Sequence, residues 1–153
     1  MNKIESFKVD HIKLETGLYV SRKDRCGSTV ATTFDIRMVK PYKDEVIDIR
    51  AMHTIEHLGA TYFRNSKFKD NVIYFGPMGC QTGFYLVMFG DLKSGDLFDF
   101  VVGMCDFVIN FEGEIPGATK IECGNYLSHD LSKAKSVAKK YKEELTNNRH
   151  FTY

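Results

Sequence analysis

Two apolar stripes at helical spacing dominate the second half of the chain, and each needs a surface to cover it. The first stripe follows a helix-start signal at residues 94–96 and consists of Leu97, Val101, Val102, Cys105, Val108 and Ile109. The second begins near Asp130 or Ser132 and consists of Ala134, Val137, Ala138, Tyr141 and Leu145. The sequence therefore predicts two long amphipathic helices that pack on another layer.

The first half of the chain supplies strands and one further helix. Residues 28–39, 71–75 and 82–89 are rich in β-branched or aromatic residues and predict strands. Residues 52–64 have helical periodicity that turns four side chains toward the core, namely Ile55, Leu58, Tyr62 and Phe63. The order strand, strand, helix, strand, strand, helix, helix indicates an α+β sandwich. No Gly-rich phosphate loop opens a helix, which disfavours a βαβ arrangement.

Composition limits the class of protein. A chain of 153 residues is expected to form one domain, residues 1–153. With 21 basic and 20 acidic residues it has a net charge of +1, so we expect neither a nucleic acid nor a membrane as partner. The lysines of the last predicted helix fit a solvated face. No segment resembles a signal peptide or a membrane span, and the four cysteines form no CxxC pair. We expect a cytoplasmic protein with free or metal-bound thiols.

The most specific local motif is H-x-x-E-H at residues 53–57. On a helix His53 and His57 lie one turn apart on one face and can bind one metal ion, with Glu56 beside its open side. The same residues could also be two surface histidines. A third ligand is needed, and spacing alone leaves several candidates. The candidates are His129, His150, Cys26, Cys80, Cys105, Cys123 and the carboxylates. The two cysteines beside glycines, Cys80 and Cys123, stand out.

Five motifs in order and in register carry a resemblance to a known family. They are ESF with DH at residues 5–7 and 10–11, FDIR at 34–37, HTIEHL at 53–58, PMGCQTGFY at 77–85, and ECGNY with HDL at 122–126 and 129–131. On these motifs the chain resembles the LuxS family of S-ribosylhomocysteine lyases. The resemblance implies a four-stranded antiparallel sheet packed with helices, related to the inverted-zincin fold. It also implies a homodimer with its sites at the interface.

The resemblance assigns a role to each matched position. His53, His57 and Cys123 match the metal ligands, and Cys80 and Glu56 match the acid/base pair. Substrate-binding positions match Ser6, His11, Arg37 and Arg64, and the first two of these are expected to serve the partner subunit's site. The family implies one divalent metal per subunit, with Fe²⁺ native and Zn²⁺ or Co²⁺ as substitutes. The implied reaction cleaves S-ribosylhomocysteine to homocysteine and 4,5-dihydroxy-2,3-pentanedione, the precursor of autoinducer-2.

Two positions depart from the family pattern. Tyr74 stands where an acidic residue commonly contributes to holding the amino-acid end of the substrate, and Gly76 stands where a serine is usual. These departures concern that contact and not the reaction.

Two rival interpretations of the metal motif remain open from the sequence. One is an inverted-zincin peptidase, which needs a carboxylate as third ligand and normally a longer chain. The other is a structural metal domain, in which protein ligands close all four positions.

Overall fold

The computed structural model describes residue 4 and residues 7–153. Within that range the strands are β1 (Gly17–Cys26), β2 (Thr29–Arg37), β3 (Val72–Pro77) and β4 (Gly83–Phe89), and the helices are α1 (Ile49–Arg64), α2 (Ser94–Asn110) and α3 (Leu131–Asn148). The sheet order is β1-β2-β4-β3, and every neighbouring pair is antiparallel. The predicted α+β class, the four-stranded antiparallel sheet and the element order are confirmed.

Several element bounds differ from the sequence-based expectation: β2 ends at Arg37 and not at residue 39, no range was predicted for β1, and α1 and β3 differ for identifiable reasons. Helix α1 begins at Ile49, three residues before the predicted start, because the Asp48 side chain accepts hydrogen bonds from the backbone amides of the first turn. Strand β3 continues through Gly76 and Pro77, where the sequence predicted its end. Pro77 pairs with Phe84 of β4, and β3 lies at the edge of the sheet. An edge strand tolerates proline because, on one of its sides, no neighbouring strand needs a backbone hydrogen bond from it.

One hydrophobic core lies between the sheet and the helices. Its sheet side consists of alternate residues of β2 and β4 that are fully buried, namely Phe34, Ile36, Phe84, Leu86 and Met88. Its helix side consists of Ile55, Leu58, Phe63, Leu97, Val101, Cys105, Val108, Ala134, Ala138, Tyr141 and Leu145. These helical positions confirm most of the predicted stripes. Tyr62, Val102, Ile109 and Val137 are only partly buried against the same core.

The lysines of α3 lie at the surface, as their spacing predicted. Lys133 pairs with Asp48 in front of α1, and Lys140 pairs with Asp44 in the loop before it. These ion pairs connect α3 to the segment that leads into α1, although exposed pairs of this kind stabilise a fold only weakly. In the described part of the chain no helix combines the length and the apolar character that crossing a bilayer requires.

The opposite face of the sheet carries polar and aromatic side chains. Because side chains alternate along a strand, Asp35 and Arg37 point away from the helices when their neighbours in β2 point into the core. Asp35 is paired with Tyr19 in β1 and with Tyr85 in β4, so the three side chains lie on the same face. We call this surface the outer face of the sheet. Asp35 and Arg37 are nevertheless 2% and 3% exposed, which makes them a buried ion pair.

Candidate active site

Four side chains that bind metals converge at α1. The donor atoms of His53, His57, Cys123 and His129 all lie within 4.8 Å of one another. The two histidines of α1 are one helical turn apart, as the motif predicted. Cys123 and His129 come from the segment between α2 and α3. We call these four residues the metal cluster.

Backbone carbonyls fix the tautomers of the two histidines in α1. His53 Nδ1 lies 2.9 Å from the Ser128 carbonyl oxygen, and His57 Nδ1 lies 2.7 Å from that of Pro116. A carbonyl only accepts, so each Nδ1 carries the proton and each Nε2 keeps a lone pair for a metal. Gly117 has a φ of +73°, and a Cβ there would come within 3.2 Å of His57 Nδ1. Glycine therefore allows the turn that presents the Pro116 carbonyl.

The Cys123 thiol lies where a third ligand is required. Its Sγ is 3.4 Å from His53 Nε2, and it accepts a hydrogen bond of 3.4 Å from the Asn125 amide. A tetrahedral ion about 2.3 Å from sulfur and about 2.1 Å from nitrogen would hold these two atoms about 3.6 Å apart. The observed separation is close to that value. Two imidazoles and a thiolate are also a donor set that suits Zn²⁺ or Fe²⁺, so the residues fit the implied metal.

The Thr54 hydroxyl, and not a backbone carbonyl, contacts His129 Nδ1. The Thr54 hydroxyl donates its one proton to the Arg50 carbonyl oxygen at 2.9 Å, and it accepts from the Asp130 amide at 3.0 Å. It lies 3.2 Å from His129 Nδ1, which must therefore carry a proton. His129 Nε2 is buried and has no hydrogen-bond partner among the described residues. Burial first, and then the neighbouring histidines, lower the pKa of His129 to about 4.

Ring geometry separates His129 from the other two histidines. The His53 and His57 rings meet at 88°, with centroids 4.6 Å apart, so their lone pairs can converge. The His129 ring stacks on His53 with centroids 4.1 Å apart and an interplanar angle of 18°. An imidazole lone pair lies in the ring plane, and two stacked, nearly parallel rings cannot both direct theirs at one ion about 2.1 Å away. In this arrangement His129 is a neighbour of a three-ligand site and not its fourth ligand.

Glu56 lies on the same side of α1 as the metal cluster. It is partly buried and lines an open pocket together with His53, His57 and Phe75. Since Glu56 precedes His57 by one residue, the helix turns its carboxylate aside from the two imidazoles while it stays within the pocket. This placement agrees with the predicted role of a carboxylate beside the open side of a metal.

A second cluster surrounds Cys80 on the outer face of the sheet. Arg37 Nη1 lies 3.9 Å from Cys80 Sγ and donates a hydrogen bond to the Thr82 hydroxyl, which itself lies 3.1 Å from that sulfur. Arg37 Nη2 donates to Asp35 Oδ2 at 2.6 Å. Burial raises the pKa of the Cys80 thiol, but the Thr82 hydrogen bonds and the Arg37 charge outweigh that effect and bring the pKa below its ordinary value. We call Cys80, Arg37, Thr82 and Asp35 the thiol cluster.

The turn between β3 and β4 exposes the Cys80 side chain. The next residue, Gln81, has a φ of +60°, in the left-handed region that side chains rarely adopt. The Gln81 amide donates to the Met78 carbonyl oxygen at 2.9 Å, and its own carbonyl accepts from the Ile47 amide at 2.9 Å. These contacts hold the strained residue in place, so Cys80 is presented by a rigid turn.

The remaining predicted site residues are distributed differently. Ser6 lies outside the described residues. His11 lies close to the thiol cluster and interacts with Asp35, whose pKa burial raises against the opposing effects of Arg37, Tyr153 and His11. Arg64 donates to the carbonyl oxygens of Val72 and Ile73, at 3.2 and 2.9 Å, at the start of β3. None of these described contacts joins Arg64 to the metal cluster or to the thiol cluster.

The two departures from the family pattern are spatially linked. A Cβ at Gly76 would come within 1.9 Å of the Tyr74 hydroxyl oxygen and 2.3 Å of the adjacent ring carbon. The Tyr74 side chain, half exposed on the edge strand, therefore occupies the space that a serine at position 76 would need. The two departures are therefore coupled, because a side chain at position 76 would have to displace the Tyr74 ring from its present position.

The metal cluster and the thiol cluster are separate within one chain. Among residues 4 and 7–153, no hydrogen bond, ion pair or ring contact connects the four metal-binding side chains to Cys80, Arg37 or Asp35. The pocket that contains His53 and Glu56 does not include Cys80 either. The structure therefore places the predicted metal ligands in one cluster, and Cys80 with Arg37 in another.

Comparisons with known proteins point to one activity. A family model described as S-Ribosylhomocysteinase (LuxS) matches residues 4–152. A protein of Finegoldia magna named S-ribosylhomocysteine lyase is 52% identical over 147 residues, which are 96% of this chain and 94% of the relative. Proteins with the same name from Phocaeicola vulgatus and Borreliella burgdorferi are 52% and 49% identical, over 95% and 96% of this chain and 91% and 94% of their own lengths.

Proposed function

The chain belongs to the S-ribosylhomocysteinase (LuxS) family, and we propose that it cleaves S-ribosylhomocysteine to homocysteine and 4,5-dihydroxy-2,3-pentanedione. The observation that carries this proposal is the pair of clusters, a two-histidine, one-thiol metal site with a carboxylate beside it and a second thiol next to an arginine. Each group is one that the reaction requires. A peptidase is disfavoured because the third metal donor is the Cys123 thiol and not a carboxylate.

The substrate determines which groups are needed. The sulfur at ribose carbon 5 cannot leave until a carbonyl stands at carbon 3, next to the proton that is lost from carbon 4. The carbonyl must therefore move from carbon 1 to carbon 2 and then to carbon 3. Each shift removes a proton from the carbon that becomes the carbonyl and returns one to the carbon that was the carbonyl, through an enediolate. In the final step a base takes the proton from carbon 4, the bond from carbon 5 to sulfur breaks, and homocysteine leaves as a thiolate that takes up a proton. The enol that remains tautomerises to the diketone by gaining a proton at carbon 5.

A metal held by His53, His57 and Cys123 would supply Lewis acidity to the substrate oxygens when bound. We assign the proton transfers to Cys80 and Glu56. The Cys80 thiol suits a base near neutral pH, because Thr82 and Arg37 bring its pKa below its ordinary value. Glu56, beside the two histidines, is positioned to move protons at the oxygens and at the second face of the substrate.

We propose a homodimer in which each site combines the metal cluster of one protomer with the thiol cluster of its partner. The separation of the two clusters within one chain supports this assignment. The outer face of the sheet supports it as well, because none of the three described helices covers that face and partly exposed Tyr74 and Tyr85 lie on it. Ser6 and His11 are proposed to reach the same shared site from the thiol-cluster side, and Arg64 is proposed to bind the amino-acid end of the substrate.

The cofactor, compartment and domain extent complete the proposal. We propose one divalent ion per protomer, with Fe²⁺ as the native ion and Zn²⁺ or Co²⁺ able to substitute, since all three accept imidazole and thiolate ligands. The reducing cytoplasm keeps Cys80 and Cys123 as thiols, and we place the reaction there. A single core that draws on the sheet and all three described helices supports treating residues 1–153 as one domain.

The direct test is a turnover assay. Purified protein loaded with Fe²⁺ under anaerobic conditions is mixed with excess S-ribosylhomocysteine, and the released thiol is titrated against a blank without substrate. We expect catalytic release of homocysteine from the wild-type protein and none above the blank from Cys80→Ala with the same metal content. Equal rates from the two proteins would exclude Cys80 as the base, and no release from either would refute the activity.

Mixed dimers test the shared site. Cys80→Ala and Cys123→Ala are co-expressed with different tags and the mixed dimer is purified. If each site takes its metal from one protomer and its thiol from the other, one site carries both lesions and the other neither. The mixed dimer should then recover about half of the wild-type activity, by the symmetry of an isologous pair. A mixed dimer as inactive as its parents would show that both clusters act within one protomer. Pairing Ser6→Ala with Cys123→Ala tests Ser6 in the same way.

A further inference from the structure

A line of hydrogen bonds on the outer face of the sheet ends at Tyr153. The Tyr153 hydroxyl donates to Asp35 Oδ2 at 3.0 Å, the same oxygen that accepts from Arg37 Nη2 at 2.6 Å. The other nitrogen of the guanidinium, Arg37 Nη1, faces Cys80 Sγ at 3.9 Å and Thr82. Tyr153 is thus connected to the catalytic thiol of the proposed function through one carboxylate and one guanidinium.

The Tyr153 ring has a fixed position. It stacks on the Tyr19 ring with centroids 4.6 Å apart and an interplanar angle of 11°. Tyr19 is 2% exposed, and its hydroxyl donates to the Glu15 carbonyl oxygen at 2.9 Å. A buried and hydrogen-bonded ring underneath gives Tyr153 one orientation, although half of its own surface is exposed. Its hydroxyl is therefore held at Asp35.

The Asp35–Arg37 pair does not have the geometry that two such groups adopt by themselves. Asp35 Oδ1 and Arg37 Nε are both buried, and neither has a hydrogen-bond partner among the described residues. A carboxylate and a guanidinium frequently pair through two parallel hydrogen bonds, and the arrangement that joins Nε and Nη2 to the two carboxylate oxygens would use these two atoms. Here Oδ2 serves both Arg37 and Tyr153, and Oδ1 serves neither.

We propose that Tyr153 is a positioning residue for Cys80: its hydrogen bond to Asp35 keeps Arg37 in the single-contact geometry that directs Nη1 toward the thiol. This inference rests on the proposed function only in that Cys80 is taken as the base. Without the tyrosine hydroxyl, Asp35 is expected to turn toward the paired geometry and to draw the guanidinium away from Cys80. The thiolate would then lose its nearest described positive charge.

Three other groups near Cys80 keep all their atoms when the Tyr153 hydroxyl is removed. Thr82 contacts the sulfur directly, and Tyr85 interacts with Cys80, Arg37 and Asp35 at longer range. His11 lies on the Asp35 side. A Tyr153→Phe substitution changes none of these three side chains and keeps the aromatic ring that stacks on Tyr19. An altered Cys80 reactivity would therefore report on the position of Arg37.

The experiment measures the alkylation of Cys80 by iodoacetamide as a function of pH, with the modified peptide quantified by mass spectrometry. Moving the Arg37 charge away from Cys80 raises the thiol pKa, and we expect the thiolate fraction near neutral pH to fall about three- to tenfold. We expect Tyr153→Phe to alkylate more slowly near neutral pH by that factor, with an upward-shifted pH profile. Its kcat should fall in parallel at unchanged metal content. Tyr74→Phe, another half-exposed tyrosine of the outer face, should leave the alkylation profile unchanged.

Two results would overturn the proposal. The first is a Tyr153→Phe profile that superimposes on the wild type. The second is a slower alkylation that Tyr74→Phe reproduces, because that would indicate a general change of the face. A folding defect is recognised by the thermal midpoint. Adding Asp35→Asn to Tyr153→Phe removes the carboxylate that would draw Arg37 away, so the alkylation profile of the double variant should shift back toward the wild type. Neither result affects the proposed activity, which fails only if the wild-type protein releases no homocysteine.

Discussion

Thr54 holds together the parts of the chain that form the metal cluster. Its hydroxyl is fully buried in α1, where it accepts hydrogen bonds from the Asp130 amide and from His129 Nδ1 and donates to the Arg50 carbonyl oxygen. Asp130 is the N-cap of α3. One oxygen atom therefore connects α1 to the start of α3 and fixes the tautomer of a histidine at the site. We predict that Thr54→Val destabilises the protein and weakens its hold on metal.

The expected loss of stability follows from the three hydrogen bonds of the Thr54 hydroxyl. Valine nearly fills the space of threonine, so no large cavity is expected. The Asp130 amide and the His129 Nδ1 proton lose their acceptor, and a buried donor left without a partner costs about 1–3 kcal/mol. His129 can avoid this by moving its proton to Nε2, so we expect a total near 2–3 kcal/mol. The Arg50 carbonyl loses little, because the α-helix provides its own hydrogen bond there.

Thr54→Ser is the matched control. Serine keeps the hydroxyl and removes one buried methyl group, which costs about 1 kcal/mol. If the oxygen is the important atom, valine is the more damaging substitution although serine leaves the larger void. Urea unfolding of the metal-free proteins gives both free energies of unfolding. Competition with a chelator gives metal affinity, which should fall about tenfold or more in Thr54→Val, as is usual when a group supporting a metal site is lost.

Equal stability of the two variants would refute this reasoning, since it would mean that losing the hydroxyl costs no more than losing one buried methyl group. Metal affinity has its own outcome. A Thr54→Val protein that is destabilised but binds metal as tightly as Thr54→Ser would show that the His129 tautomer has no influence on the three-ligand site. Those two results can be separated, because unfolding is measured without metal and competition is measured in the folded protein.

Three further predictions concern other parts of the molecule. Cys123→Ala should lose most of its metal on purification while Cys80→Ala keeps it, which elemental analysis decides; equal content would contradict the ligand assignment. Gly76→Ser should lower the free energy of unfolding by up to about 2 kcal/mol, because Tyr74 must leave the covered half of its surface. In a Tyr74→Ala background, urea unfolding should show no such loss. Hydrogen bonds from Lys43 and Lys40 lower the pKa of Glu15 to about 2 from 4.5, so its contribution is present above pH 4.5 and lost as pH falls toward 2. The stability curves of wild type and Glu15→Gln should therefore converge over that range; a constant difference would exclude the ion pairs as the cause.

Local patterns predicted the elements of the fold correctly. A helical stripe or an alternating strand is encoded within a few residues, so α2 and α3 could be placed from spacing alone. The start of α1 and the end of β3 could not. The first depends on how Asp48 caps the helix, and the second on whether the strand containing Pro77 lies at the edge of the sheet. Sheet position is a property of the whole chain and is not encoded in a short segment.

The members of the metal cluster differ in how far the sequence alone predicts them. His53 and His57 share a helix face whatever the tertiary fold, so their convergence could be predicted from the motif itself. Cys123 could be placed only by family resemblance, because spacing left other cysteines as alternatives. His129 remained one candidate among several, and its stacking on His53 depends on Thr54, whose side chain has no metal-binding chemistry to draw attention to it.

Tyr153 had no signal in the sequence. It acts on Asp35 across a separation of 118 residues, and no motif contains it. The Tyr74 and Gly76 departures were visible as single changes, but their dependence on each other appears only in the contact between the tyrosine hydroxyl and the space above the glycine. Both cases involve side chains on the outer face of the sheet, where packing and not periodicity decides which residues meet.

The two clusters are held by different kinds of group, and this has a consequence for how such a chain can vary. The acceptors that orient His53 and His57 are the main-chain carbonyls of Ser128 and Pro116, which remain whatever side chain those positions carry. The Cys80 thiol interacts with the Thr82 backbone but also with the side chains of Thr82 and Arg37, and Arg37 in turn contacts Asp35, so single substitutions can alter much of its environment. The metal site can therefore keep its geometry through many sequence changes, while the reactivity of the thiol can be adjusted one residue at a time.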